Sequence, residues 1–518
     1  MQREPDDQTF WDDIEGYCGK LSYVWGETVE LHVSTRSATF DVVVERWGSD
    51  RTEVWRSDSL EGTFLEPPTG ADSNGCGWPV SVRIPVEADW RSGFYLVTLV
   101  AHGADPGSEL GHAGFVVRAA PANRSNTVLV LGTNTWNAYN TWGGMSLYTG
   151  GSQVSFRRPF GRGMLCRPEV ERRDRKARPV RFRETPDAGG HIFQDYRTAN
   201  AYPSAIGSAG WFTHERRFVE WAESEGFEFD MAVSSDLDIV PGVLDGYELV
   251  VGVGHDEYWS VGGRDVIDRY LAGGGNVASF SGNTMFWQVR FTAEADHMIC
   301  HKYSAHVEDP VMSAGEPERM TGMWADPLIG RPEWATLGAG SAFGLYHRFG
   351  DAAPRGVGGF EIVDPDHWML IGTGCRYGDV VGRDDGVVGY ETLGCPLQFD
   401  DENRLVAREF PAMPDNMEIV GFTLSSNLAI GEYPASVAAL SDQGDLEFVS
   451  ARLSGEVTAE NMARWRRGNA VMLTCRPAGP AGGQMVTVGT TDWVFGLAHD
   501  PQVGRITANV LDRLVSNR

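Results

Sequence analysis

A histidine and a glutamate two positions apart, at the end of an apolar run, are the chemically richest feature of this sequence. Leu249-Val250-Val251-Gly252-Val253-Gly254 leads straight into His255-Asp256-Glu257-Tyr258-Trp259-Ser260. On extended backbone, residues i and i+2 project to one side, so His255 and Glu257 can face one cation or one substrate. Carboxylate and phenolate oxygens suit a hard cation, and imidazole suits iron or zinc. A hydrogen-bonded strand end without any ion uses the same two residue types. Tyr139, Tyr148 and Asn283 are further candidates, each placed just after a predicted strand. Taken singly, a loop tyrosine is commonly a packing residue and an asparagine after glycine a turn residue.

These residues need a scaffold that brings strand ends together. The apolar run before His255, bounded by glycine, reads as a buried strand. Ser260 reads as the cap of a following helix, with Val266, Ile267, Tyr270 and Leu271 on one face. Gly273-Gly274-Gly275 ends that helix, and Asn276-Val277-Ala278-Ser279-Phe280 is the next strand, closing at Ser281-Gly282-Asn283. Upstream, Thr127-Val128-Leu129-Val130-Leu131 is a strand, and residues 134–151 read as an aromatic, polar loop. Thr213 reads as the cap of a helix that buries Phe218, Val219, Trp221 and Ala222 and stops at Gly226. Phe227, Phe229, Met231 and Val233 alternate as a strand, and Asp236-Leu237-Asp238 reads as loop. Strands alternating with helices predict a parallel, doubly wound sheet, whose ligands gather at the carboxyl ends of its strands.

In front of this lies a different grammar. Val29, Leu31 and Val33 alternate with polar residues, and both faces of the run from Phe94 to Ala101 are apolar enough to be covered. Short strands at this spacing predict a β-sandwich, immunoglobulin-like in size. Residues 119–125 read as a linker. Towards the C-terminus, residues 381–390 and 470–475 have strand-like runs, and residues 506–514 read as a closing helix. The predicted organisation is therefore a β-sandwich over 1–120, an α/β core over 126–325, and a mixed α/β part over 326–518 that completes the site. The fold class is α/β, multi-domain α+β taken as a whole.

Bulk composition sets limits on function. The chain has 518 residues, 42% hydrophobic and 22% charged, which is globular composition. Its net charge of -27, from 71 acidic and 44 basic residues, argues against nucleic-acid binding. A basic run within residues 167–183 is interleaved with acids and reads as a solvated loop. No stretch has the apolar length of a membrane helix. The N-terminus lacks an apolar signal region, and seven scattered cysteines form no CxxC, which together predict the cytoplasm.

Familiar catalytic motifs are missing. There is no GxSxG elbow, no HExxH, and no cysteine in the turn after Val253. Gly273-Gly274-Gly275 lies between a helix and a strand, the wrong place for a dinucleotide loop. Instead, Trp136-Asn137-Ala138-Tyr139-Asn140, Gly143-Gly144-Met145-Ser146-Leu147-Tyr148, Gly254-His255-Asp256-Glu257-Tyr258-Trp259-Ser260, Ser281-Gly282-Asn283-Thr284-Met285-Phe286-Trp287, Gly389-Tyr390-Glu391 and Gly489-Thr490-Thr491-Asp492-Trp493 together resemble the large (beta) subunit of N,N-dimethylformamidase, over residues 126–518.

The resemblance implies an amidohydrolase with one ferric ion held by two tyrosines and a glutamate. Residue by residue, these are Tyr139, Tyr148 and Glu257, with Tyr196 or Tyr202 as alternatives to Tyr148. His255, Asn283 and Glu391 match catalytic or neighbouring positions. The implied core is similar to that of the glutamine amidotransferases, without their cysteine. Iron is a hard Lewis acid for the amide carbonyl. Glu391 would act as the base, and His255 and Asn283 would hydrogen-bond the developing oxyanion. The substrate expected is a small amide such as an N-substituted formamide, in a pocket lined by Trp136, Trp142, Tyr258, Phe286 and Trp287. A homo-oligomer and a small second subunit are the expected protein partners. The competing reading is a non-catalytic ligand-binding or structural relative of the same fold.

Overall fold

Val29, Leu31 and Val33 turn inward on the strand Thr28–Thr35, while Thr28 and Glu30 stay exposed. That period-2 alternation is what lets a strand cover a core with one face. In the computed structural model, which describes residues 12–168, 200–203, 206–346, 358–433 and 443–515, this strand is the centre of a three-stranded antiparallel sheet between Ile14–Cys18 and Val82–Pro85. A five-stranded sheet runs in the order Ser22–Tyr23, Leu110–Val117, Gly93–Ala101, Thr39–Trp47, Arg51–Glu61. It is antiparallel except for its first pair. Val29, Leu31 and Val33 from one sheet and Val42, Val44, Val97, Leu99 and Phe115 from the other share one buried cluster.

Contacts divide the mixed α/β chain into two units. Of the described residues, the first takes 12–168, 200–203, 206–247 and 289–302; the second takes 248–288, 303–346, 358–433 and 443–515. In the first unit, Thr127–Leu131 pairs in parallel with Asp230–Val233. Three local expectations fail there. A helix, Thr133–Tyr139, stands where a loop was expected. Its Thr, Asn, Trp and Tyr residues are weak helix formers, but all seven of its residues are buried, so packing overrides propensity. Thr213 does not cap the helix Glu215–Ser224; its hydroxyl accepts a hydrogen bond from Arg167 at 3.2 Å, and His214 takes the cap position. Asp236–Ile239 is a short helix, not a loop, around the buried Asp236, which accepts the Val233 N–H at 2.9 Å. The strand Asp230–Val233 is also shorter than the alternating run, because Phe229 turns aside to pack on Phe218. Of the basic run, residues 169–183 lie outside the described residues. Arg167 is buried rather than solvated, over the Phe212 ring.

In the second unit, seven strands lie in the order Leu249–His255, Asn276–Gly282, Met485–Val488, Arg467–Cys475, Glu418–Ser426, Phe360–Ile362, Val380–Val381. The first three are mutually parallel. The rest are antiparallel, so the expected all-parallel sheet is mixed. The link from Arg467–Cys475 to Met485–Val488 is too short for a helical crossover, which leaves the antiparallel pairing. Between the first two strands runs the helix Val261–Ala272, and Ser260 caps it, its hydroxyl accepting the Gly263 N–H at 2.9 Å. Ile267 and Leu271 are buried on its inner face; Val266 and Tyr270 are only half-buried. The closing helix is Pro501–Leu514, longer than expected because Asp500 caps it one turn earlier. Among the described residues no helix is long and apolar enough to cross a membrane.

Candidate active site

The strand Leu249–His255 is parallel and in register with Asn276–Gly282, so His255 pairs with Gly282 at the shared carboxyl end. Beyond that edge the two segments remain tied. The Met285 N–H donates to the Asp256 carbonyl at 3.1 Å, and the Trp287 N–H donates to the Glu257 carbonyl at 2.9 Å. The turn His255-Asp256-Glu257 is therefore clamped by backbone rather than left as an open loop. Trp287 also donates its indole N–H to Glu257 Oε1 at 2.6 Å. That leaves Glu257 Oε2 at 3.4 Å from His255 Nε2.

Glu391 arrives from far along the chain. Its segment is threaded through backbone contacts: Thr392 donates its N–H to Leu345, Leu393 to Gly489, and Thr491 to the Glu391 carbonyl. The Thr491 hydroxyl donates to the Tyr390 carbonyl at 2.7 Å. This gives the closing motif around Thr491 a physical task, the anchoring of Tyr390 and Glu391. Gly282 makes the approach feasible, since a Cβ there would lie 1.9 Å from the Glu391 carbonyl oxygen. Glu391 and Asn283 both take left-handed backbone, φ 35° and 53°. Side chains at such angles carry strain that surrounding structure must hold, a pattern found at functional sites.

The result is a buried cluster. Glu391 Oε2 touches His255 Nε2 and accepts a hydrogen bond from Asn283 Nδ2 at 3.1 Å. One ligand atom from each of His255, Glu257 and Glu391 lies within 4.8 Å of the other two. His255 is edge-on to Tyr390, ring centroids 5.6 Å apart. Asp256 is buried beside them and burial pushes its carboxyl up to about 7, against the opposing pull of Trp259 and His255. Four of the residues singled out in the sequence, His255, Glu257, Asn283 and Glu391, thus come together in the second unit.

Tyr139 and Tyr148 come together in the first unit. Tyr139 closes the helix Thr133–Tyr139, and the Leu147 N–H donates to the Ala138 carbonyl at 3.1 Å, folding the loop back. Their rings stack, centroids 4.1 Å apart. Tyr202 is buried, with the Arg162 guanidinium 6.0 Å from its ring centroid; Tyr196 lies outside the described residues. Lys302, buried and in left-handed backbone, holds its Nζ 3.1 Å from the Tyr148 ring centroid. A single lysine carries no sequence signal for that role. The expected aromatic lining needs correction at Trp142, which is wholly buried in a cluster with Tyr17, Ala71, Cys76 and Trp78. Trp136 donates its indole N–H to Glu215 at 2.8 Å and is likewise core. Phe286 packs edge-on against Trp287, and Tyr258 is fully buried.

Comparison with known proteins adds a lineage to this geometry. The family model for the N,N-dimethylformamidase beta subunit-like C-terminal region matches residues 41–505. The chain belongs to that family. The match starts within the strand Thr39–Trp47, so the likeness to dimethylformamidase reaches well in front of residue 126, where the motifs alone placed its start. A curated member, the N,N-dimethylformamidase beta subunit of Alcaligenes sp, is 32% identical over 90 residues. That alignment spans 17% of this chain and 12% of the relative's length. Glu257 offers carboxylate oxygen, the hard donor type that suits a hard cation, beside a second carboxylate and an imidazole.

Proposed function

We propose that this protein is an iron-dependent amidohydrolase that cleaves the C–N bond of a small amide such as an N-substituted formamide. The observation that carries the reading is the convergence of His255, Glu257 and Glu391, with Asn283 hydrogen-bonded to Glu391. The family relationship supports the reaction class. Glu257 is the carboxylate ligand, and Tyr139 and Tyr148 are the phenolate ligands implied by the family. Iron, when bound, supplies Lewis acidity to the amide carbonyl and acidifies water.

The protein's own groups do the rest. Glu391 takes a proton from the attacking water as the new C–O bond forms, and becomes neutral. The carbonyl oxygen gains negative charge, which the His255 imidazole and the second N–H of the Asn283 amide stabilise by hydrogen bonds. Glu391 then returns its proton to the leaving nitrogen as the C–N bond breaks. The products are a carboxylic acid and an amine. Burial of the whole cluster keeps bulk water from competing for these hydrogen bonds.

The same proposal keeps an immunoglobulin-like sandwich for the front sheets and an amidotransferase-like core. It also keeps a cytoplasmic setting, self-association and a small second subunit. A screen of formamides, acetamides and ureas on iron-loaded protein tests the activity. Phenolate-to-iron charge transfer should colour the protein, and Tyr139→Phe should shift or remove the band. A colourless, iron-free preparation that still hydrolyses an amide sinks the iron-dependent mechanism.

A further inference from the structure

Ser341 takes no part in the chemistry above, yet it stands at the end of a buried chain that leads there. It opens the short 3-10 helix Ser341–Phe343 and is 1% exposed. Its backbone N–H donates to Glu333 Oε1 at 3.0 Å, which fixes the residue in place. Its hydroxyl donates to Asn283 Oδ1 at 2.9 Å. Asn283 Nδ2 in turn donates to Glu391 Oε2 at 3.1 Å.

The two ends of an asparagine amide have opposite roles: the oxygen only accepts and the nitrogen only donates. A carboxylate only accepts, so Glu391 selects which way the amide faces, and the Ser341 hydroxyl, donating to Oδ1, holds it there. With the amide reversed, Oδ1 would meet the Glu391 carboxylate, acceptor against acceptor. The left-handed backbone of Asn283 puts its side chain into this gap, where it bridges Ser341 and Glu391.

We propose that Ser341 is a positioning residue: its hydroxyl locks the Asn283 amide with the NH2 group towards Glu391, and so aims that carboxylate. The proposal rests on the amidohydrolase reading for what Glu391 does once aimed; the lock itself stands apart from it.

Two measurements on the full chain test the proposal. The first is a double-mutant cycle of Ser341→Ala and Glu391→Ala, read from denaturant midpoints. Ser341 acts on Glu391 through Asn283, so the double variant should lose less than the two single losses combined. Additive losses overturn the lock. The second is turnover of any amide that the wild type cleaves. Ser341→Ala should lower kcat about tenfold with KM within about twofold, as expected when a catalytic group is misaimed rather than lost. Ser341→Thr, which keeps the hydroxyl, should recover most of that loss. A Ser341→Ala variant with wild-type kcat overturns the positioning role, whatever the cycle shows. If the wild type cleaves no amide, the functional reading falls and the cycle alone decides the lock.

Discussion

Glu15 in the first unit and Glu257 in the second are buried glutamates that each accept a hydrogen bond from a tryptophan indole. Trp142 donates to Glu15 Oε2 at 2.5 Å and Trp287 donates to Glu257 Oε1 at 2.6 Å. Both carboxylates are almost wholly covered. Their neighbours differ. Glu15 lines a cavity of about 470 Å³ together with Asp12, Arg51, Glu109, His112 and Arg162. There Arg162 comes within 3.1 Å of Asp12, an acid matched by a cation whose charge is permanent. Glu257 instead shares an imidazole with a second carboxylate, Glu391. Two carboxylates converging on one histidine form an arrangement that a cation or a proton stabilises. An indole-capped glutamate is thus a common structural device in this molecule, and what distinguishes the site is the second acid and the histidine.

The sharpest way to break that contrast is to neutralise each glutamate in turn. Glu257→Gln should reduce bound iron to background and turnover by about 10³-fold, the scale of losing a group that stabilises developing charge. Glu15→Gln should leave metal content and kcat unchanged and lower only the melting temperature. Metal analysis of both variants decides, and equal metal loss in the two would erase the distinction.

A second pair of variants asks the same question of the backbone. An added Cβ at Gly282 would meet the Glu391 carbonyl oxygen at 1.9 Å and the Thr491 nitrogen at 2.5 Å. At Gly16, next to Glu15, it would meet the His32 carbonyl oxygen at 2.8 Å. Overpacking of this kind costs about 1–3 kcal/mol of stability. Gly282→Ala should in addition cut turnover by about 10²-fold, because it moves a reacting group. Gly16→Ala should cost stability alone. Loss of activity in both, in proportion to loss of folded protein, would show that Gly282 has only a packing role.

How much of this could be read beforehand depended on range. The strand ending at His255 and the Ser260 cap were legible because an apolar run and a capping hydroxyl are local signals. So was the inward alternation of Val29, Leu31 and Val33. The helix Thr133–Tyr139 was hidden, since its stability comes from burial and not from its residues' propensities. The antiparallel half of the second sheet was hidden as well, because strand direction is set by which strand lands beside Asn276–Gly282. Glu391 could be named only through family resemblance. Its place depends on Gly282 and Gly344 admitting the backbone of Glu391 and Thr392, a contact across the fold with no local signature. Ser341 had no signal at all: a serine beside glycine declares nothing until its hydroxyl is seen on Asn283.

The smallest expected effect concerns Asp12, and it tests whether acids of the first unit act on stability alone. Burial pushes its carboxyl from 3.8 up to about 6, with the Arg162 guanidinium pulling the other way. A carboxyl raised on folding binds its proton more tightly in the folded state than in the unfolded chain. Its contribution therefore favours folding below about pH 4, fades as the pH rises towards about 6, and is a constant cost above that. Asp12→Asn removes this titration. Relative to wild type, the variant should gain stability between pH 4 and pH 6, and the gain should level off above. Its metal content and kcat should not change. Denaturant midpoints taken at half-unit pH intervals give the slope. A wild-type-to-variant difference that is flat across that window would mean that Arg162, and not burial, governs Asp12, and that the first cavity is a settled ion pair at every pH.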